Sequence, residues 1–225
     1  MRKPSIVAPG GSLDKAIIAL NFGADAVYVG LDHFGLRKSA TNLTTLELDY
    51  LCKKATANGQ SVYVTMNGFP NNDDMANVDS FLQKLSTIPL TALIISDIGL
   101  LKRAKALTSF RLHASTQASI MNSKTAEFWV NAGADRLVLA REVSIKQAAK
   151  IKQTTGTEIE LFIHGAMCSS VSGKCTISNV TSGRDSNRGG CVQSCRHSFT
   201  VPNNKTAHIM NAKDLMGIDC IPDYI

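Results

Sequence analysis

Four of the six cysteines fall within 28 residues: Cys168, Cys175, Cys191 and Cys195, with six, fifteen and three residues between successive members. Thiols gathered in this way can complete a zinc site or an iron-sulfur cluster, and either takes them as thiolates. Paired Cys-x-x-Cys knuckles, the commoner zinc pattern, are absent. The loose spacing leans towards a 4Fe-4S cluster, with zinc, unligated thiols or a cysteine nucleophile as the alternatives. Cys52, in a helical pattern, and Cys220, near the end, read as small core residues. Cations run through the same stretch: Lys174, Arg184, Arg188, Arg196 and Lys205 against Asp185, a formal +4, with His197, Phe199 and His208 in or just after it. Arginine and aromatic side chains beside a pocket suit a splayed RNA base and its phosphates, and a solvated loop is the plain alternative.

The elements that must position these residues come as a regular alternation. Short β-branched runs cover Ser5 to Ala8, Ala26 to Gly30, Ser61 to Met66, Ala92 to Ser96, Arg111 to Ala114, Arg136 to Ala140 and Glu158 to His164. Most are continuous apolar runs, as expected of a parallel sheet covered by helices. Helical patterns fill the gaps over Leu13 to Phe22 (capped by Ser12), from Thr44 or Thr45 to Asn58, and over Asp74 to Leu85, Gly99 to Leu107, Ser123 to Ala132 and Ser144 to Thr154. NFGADAVYVG (Asn21 to Gly30) is echoed by NAGADRLVLA (Asn131 to Ala140) four units later, each with a glycine suited to a left-handed helix end. This pattern predicts a single α/β domain over residues 1–225, a (β/α)8 TIM-barrel-like fold, with a doubly wound open sheet as the alternative.

No eighth strand is visible. A polar, Gly- and Ser-rich stretch from Gly165 to about Met210 follows strand 7, then a helical pattern (AKDLMGIDCIPDYI) reaches Ile225. Either the chain is truncated or another segment or subunit closes the barrel, and two open strand edges invite homo- or hetero-association. The cysteine stretch leaves strand 7 at the face where barrel enzymes build their sites.

Further candidates follow from topology. His113, Ser115 and Gln117 alternate at the end of strand 5, and Glu160, Phe162 and His164 along strand 7, so each set is expected to share a face. That makes His113, His164 and Glu160 candidate proton-transfer groups, with Gln117, Arg184, Arg188 and Arg196 on the substrate. Arg141 and Glu142 follow strand 6 and Asn67 follows strand 3, all at the mouth. The APGGS turn, Ala8 to Ser12, offers amides at a helix start. The net charge of +6 and pI near 9.0 suit an anionic partner. No stretch is apolar enough to span a membrane and no signal peptide is evident, so a cytoplasmic protein is expected.

Glu160 to Ser178, ELFIHGAMCSSVSGKCTIS, resembles the hallmark of the U32 peptidases, the collagenase-like family, at Glu160, Phe162, Gly165, Ala166, Cys168, Gly173, Cys175 and Ser178. The likeness extends to APGGSLDKA, GADAVYVG, VYVTMN, LHASTQASIMN and GRDSNRGGCVQSCR. The resemblance implies one of several activities. The family is named for proteolysis, while other members resemble RNA hydroxylases that modify a uridine or cytidine and require prephenate, a small carboxylate metabolite, and others serve oxygen-independent ubiquinone hydroxylation. It also implies that Cys168, Cys175, Cys191 and Cys195 hold an iron-sulfur cluster. Hydroxylation of a tRNA or rRNA base is the expected role. A peptidase is the alternative, although no HExxH or GxSxG occurs, and a non-catalytic or partner-dependent subunit of a hydroxylase complex is another. Members of the family continue past this length into the strand missing here.

Overall fold

The computed structural model describes residues 4–36, 42–202 and 205–224. Seven parallel strands form one sheet in chain order: β1 (Val7–Pro9), β2 (Ala26–Gly30), β3 (Ser61–Met66), β4 (Ala92–Ile95), β5 (Arg111–Ala114), β6 (Arg136–Val138) and β7 (Glu158–Glu160). Neighbouring strands are joined by α1 (Leu13–Asn21), α2 (Thr45–Ala57), α3 (Asn72–Met75) with α4 (Val78–Leu85), α5 (Ile98–Leu107), α6 (Ser123–Ala132) and α7 (Ile145–Thr155). The architecture is the expected TIM-barrel-like one, open between β1 and β7.

The helices are set by their first turns. Thr44 and Ser144 each close a capping box, with Glu47 and Gln147, and Ser12, Asp97 and Asn122 accept from backbone N–H groups of the helices that they open. Their apolar stripes, including Leu20, Leu48, Leu51, Leu82, Leu100, Leu101, Trp129 and Ile151, bury against the outward residues Val27, Val29, Val62, Val64, Leu93, Ile95, Leu112 and Leu137. Full burial of one such side chain stabilises by about 1.5–3 kcal/mol, so this outer layer dominates the fold. Cys52 on α2 belongs to it at 1% exposure, and burial, reinforced by Asp49, pushes its thiol up to about 12. The barrel interior is a much smaller cluster of Ala26, Tyr63, Ala92 and Ile94.

Several expectations are corrected. Strand 1 covers Val7–Pro9 rather than Ser5 to Ala8, because its length is set by pairing with β2. The helix expected over Asp74 to Leu85 is two: Asn71 and Asp74 form a capping box that starts α3 earlier, and Asn77 interrupts before α4. Strands 6 and 7 stop at Val138 and Glu160. The Ala140 N–H turns to Ile120 and the Leu139 N–H gives the last bond to Glu160, so residues 161–163 have no ladder to extend. The chain then forms β8 (His164–Gly165), antiparallel to β11 (Leu215–Met216). The terminal segment is therefore not one helix. It holds β11, a 3-10 turn over Ile218–Cys220 and the short α9 (Ile221–Tyr224), and Cys220 is exposed rather than core. Ile225 lies outside the described residues.

The echoed segments use one device twice. Gly23 and Gly133 both carry positive φ, +101 and +118, which glycine alone adopts freely. Two residues on, the Asp25 carboxylate accepts the N–H of Ile6 at 2.7 Å, and the Asp135 carboxylate accepts the N–H of Leu112 at 2.8 Å. Each aspartate thus pins the start of a strand to the one before it. Replacing either by Ala is expected to cost about 1–3 kcal/mol, with the larger loss at Asp135, whose bond is half buried. Thermal melting of both variants checks this, and an unchanged melting temperature for Asp135→Ala would remove the clamp from the account.

Candidate functional site at the barrel mouth

The cysteine segment folds back over the C-terminal ends of the strands. It contains α8 (Ile177–Ser182), a turn over Ser186–Gly190, a 3-10 turn over Ser194–Arg196, and a hairpin of β9 (Phe199–Val201) with β10 (Lys205–Ala207). Past β3, the Phe69 N–H donates to the Asn187 carbonyl at 2.9 Å, and Arg188 pairs with Asp74 at 2.7 Å. Past β5, Gly173 lies so close to Gln117 that an added Cβ would overlap the Gln117 carbonyl. Its φ of +74 also disfavours any side chain. The glycine between Cys168 and Cys175 is therefore fixed by contact as well as by conformation.

Within the segment, hydrogen bonds fall at or beside each cysteine. The Asn187 amide donates to the Cys175 carbonyl at 2.8 Å, Arg196 beside Cys195 donates to the carbonyl of Met167 beside Cys168 at 2.9 Å, and the N–H of Val192 beside Cys191 donates to Ser178 Oγ at 3.2 Å. All four thiols are free. Cys168 and Cys191 are exposed, Cys175 and Cys195 half-buried. As a donor set, four unpaired thiols on one stitched segment fit a thiolate-held group. They are not already gathered around an ion: among the described residues, no three His, Cys, Asp or Glu side chains converge to hold one. Binding would have to draw the thiols together, as is common when ligation and local folding are coupled.

The expected substrate arginines divide. Arg184 is exposed on the segment. Arg188 is anchored on Asp74, with its Nε buried and unpartnered. Arg196 bonds Asp214, Asn211 and the Met167 carbonyl, which ties the segment to the chain's end. Gln117 is half-buried under Gly173. The sequence reading missed Asp74 and Asn187 as anchors. The Asn71-x-x-Asp74 capping signal was present, but no local pattern announces that the same carboxylate reaches Arg188, 114 residues away.

The barrel interior holds a second group. Arg136 is 12% exposed and donates to Glu158 at 2.9 Å, to Glu160 at 3.4 Å and to the Tyr63 hydroxyl at 3.2 Å, while Arg111 reaches Glu158 at 2.8 Å. Burial raises the Glu158 carboxyl, but the hydrogen bonds and charges of Arg111 and Arg136 prevail and bring it down to about 2. Burial holds Glu160 above its ordinary value against the pull of Arg136. His113 is 0% exposed, its ring edge-on to Tyr63 at 4.7 Å, and neither ring nitrogen has a partner. Burial, with the Arg136 and Arg111 charges, pulls its imidazole down to about 3. His113 and Glu160 thus share the interior. His164 does not join them: it is exposed on β8, and the face expected to link it with Glu160 and Phe162 ends with β7. Gln117 likewise lies in a 3-10 turn opened by Ser115, not on an extended β5.

The sequence model of peptidase family U32 matches residues 11–225. The chain belongs to that family. A "tRNA hydroxylation protein" of Bacillus subtilis is 38% identical over 237 residues, covering 100% of this chain and 56% of the relative. A "23S rRNA 5-hydroxycytidine synthase" of Escherichia coli is 34% identical over 213 residues, covering 95% of this chain and 32% of the relative. A solved U32 peptidase superposes with a TM-score of 0.62 at 15% identity, over 74% of this chain and 72% of that one, and so shares the fold. The U32 chain described here spans about half the length of the B. subtilis relative.

The neutral His113 makes the stability of this U32 domain pH-dependent. The unfolded imidazole, near 6.5, takes a proton that the folded one refuses. Stability should therefore fall as pH drops from 6.5 towards the carboxylate range, by up to about 1.4 kcal/mol per pH unit. His113→Phe keeps a ring against Tyr63 and should flatten that slope. Urea unfolding of both proteins at neutral and mildly acidic pH measures it, and an equal slope in the variant would assign the proton elsewhere.

Proposed function

We propose that this chain contributes to hydroxylation of a tRNA or rRNA base, with Cys168, Cys175, Cys191 and Cys195 holding an iron-sulfur cluster at the barrel mouth. The observation that carries this reading is similarity along the whole of this chain to about half of a B. subtilis tRNA hydroxylation protein, in a chain whose four free thiols lie on a segment seated over the strand ends. When bound, such a cluster supplies electron transfer that protein side chains lack. The protein's own residues do the rest. Lys174 and Arg184, exposed on the segment, attract phosphates. Arg188 and Arg196 hold the segment in place. Gln117 lies at the base of the seat. Glu160, shifted towards its protonated form, is the interior group suited to hold or move a proton, while the fully buried His113 contributes a neutral ring to the same interior.

A small carboxylate metabolite of the prephenate kind is the proposed co-substrate and RNA the partner. With RNA as substrate, the cytoplasm is the proposed site of action. Among the described residues no helix is long and apolar enough to cross a membrane. Proteolysis, the activity for which the family is named, is the weaker reading. A Ser or Cys protease needs its nucleophile in hydrogen-bond reach of a base, and both nitrogens of His113 are without a partner.

The test combines iron and sulfide analysis of protein purified without oxygen with mass spectrometry of nucleosides from cellular RNA. Deleting the gene should remove a hydroxylated nucleoside, and restoring it with Cys175→Ser should not bring the nucleoside back. The same variant should lose its iron. Full iron content in Cys175→Ser would refute the ligand assignment, and unchanged RNA in the deletion would refute hydroxylation.

A further inference from the structure

One residue of the cysteine segment is gripped from two neighbouring strand ends. Ser172 lies between Cys168 and Cys175 and is 0% exposed. Its N–H donates to Glu142 Oε1 at 3.1 Å and its hydroxyl to Glu142 Oε2 at 3.0 Å. The same hydroxyl accepts from the Arg141 N–H at 3.4 Å, and the Ser172 carbonyl accepts from the Ser119 hydroxyl. Arg141 and Glu142 follow β6, while Ser119 follows the 3-10 turn after β5. Both backbone groups and the side chain of Ser172 are thus satisfied by the mouth.

The fit is chemical as well as spatial. An ionised carboxylate offers only acceptors, and Ser172 presents an N–H and an O–H to its two oxygens. Bonds to an ionised partner are the stronger kind. Because Ser172 is buried, removing the carboxylate strands its N–H without an acceptor, which is costlier than losing an exposed bond. Gly173, next in the chain, leaves no room for the segment to slide past Gln117.

We propose that Glu142 is a positioning residue: it fixes the cysteine segment on the barrel mouth through Ser172, and with it the places of Cys168 and Cys175. This goes beyond the hydroxylation reading and does not depend on it, since the seat exists whatever the thiols bind.

Amide hydrogen exchange read by mass spectrometry tests the seat directly. Glu142→Ala should speed exchange across residues 168–176 by about tenfold, equivalent to about 1.4 kcal/mol of easier local opening, while peptides from β5 and β6 stay unchanged. Glu142→Gln should restore most of the protection, because its carbonyl still accepts the Ser172 N–H and its amide can donate to the hydroxyl. Exchange within twofold of the parent in Glu142→Ala overturns the proposal, as does a Gln variant that exchanges as fast as the Ala one. Should Glu142→Ala fail to fold, Ser172→Ala, which removes the hydroxyl alone, decides by the same peptides: faster exchange supports the grip and unchanged exchange refutes it. Neither iron nor RNA is measured, so failure of the hydroxylation reading would leave this result standing.

Discussion

The guanidinium of Arg136 sits inside a barrel at a place where branched aliphatic side chains usually pack. It is answered by two carboxylates on β7 and by a tyrosine on β3. That last contact is a geometric constraint, because strands three apart in a sheet touch through side chains on one face only if the sheet curls. Tyr63 meets both Arg136 on β6 and His113 on β5, so the curvature of an unclosed sheet is held from within. The interior consequently has two halves, small and apolar along β2 and β4, charged along β5 to β7. A largely buried pair such as Arg136 with Glu160 contributes little net stability against a hydrophobic alternative, yet it is expensive to break from one side. Its effect is to specify: Glu158 and Glu160 secure an edge strand of only three residues that shares short ladders with a single neighbour.

The mouth is built on a different principle. Where the outer core relies on apolar area, the cysteine segment is held by directional bonds to the ends of β3, β5 and β6 and by the close approach of Gly173 to Gln117. A polar seat of this sort defines a position without a hydrophobic lining. It leaves Cys168 and Cys191 in contact with solvent, and the segment can rearrange around its anchor points while the sheet beneath stays fixed.

Strand cores were legible in the sequence because burial on both faces gives continuous apolar runs, and Ala26–Gly30, Ser61–Met66 and Arg111–Ala114 fall where those runs do. Helix starts were legible where Ser12 and Thr44 precede the pattern, whereas the Asn71 cap that starts α3 early was passed over. What local pattern could not show was where pairing stops: Leu161 to His164 continues the run of β7, yet its partners are elsewhere, with Met216 opposite His164. The cysteines stood out through residue type and spacing, and the mouth location followed from strand order. The roles of Asp74 and Glu142 did not, since Asp74 reads only as part of a helix start and Glu142 only as a mouth position until the partner of each, distant in sequence, is known. Cys220 illustrates the converse, a small apolar type that the short terminal turns leave on the surface.

Cys52 gives the chain an internal contrast. Its thiol stays protonated through the physiological range and is sealed on the buried face of α2, so it offers oxidants and alkylating reagents almost no thiolate. The other five cysteines are at least partly accessible. Oxidative damage should therefore begin at the surface thiols and spare the scaffold, and modification at Cys52 would record that an entire molecule had come apart and not merely that its mouth had loosened.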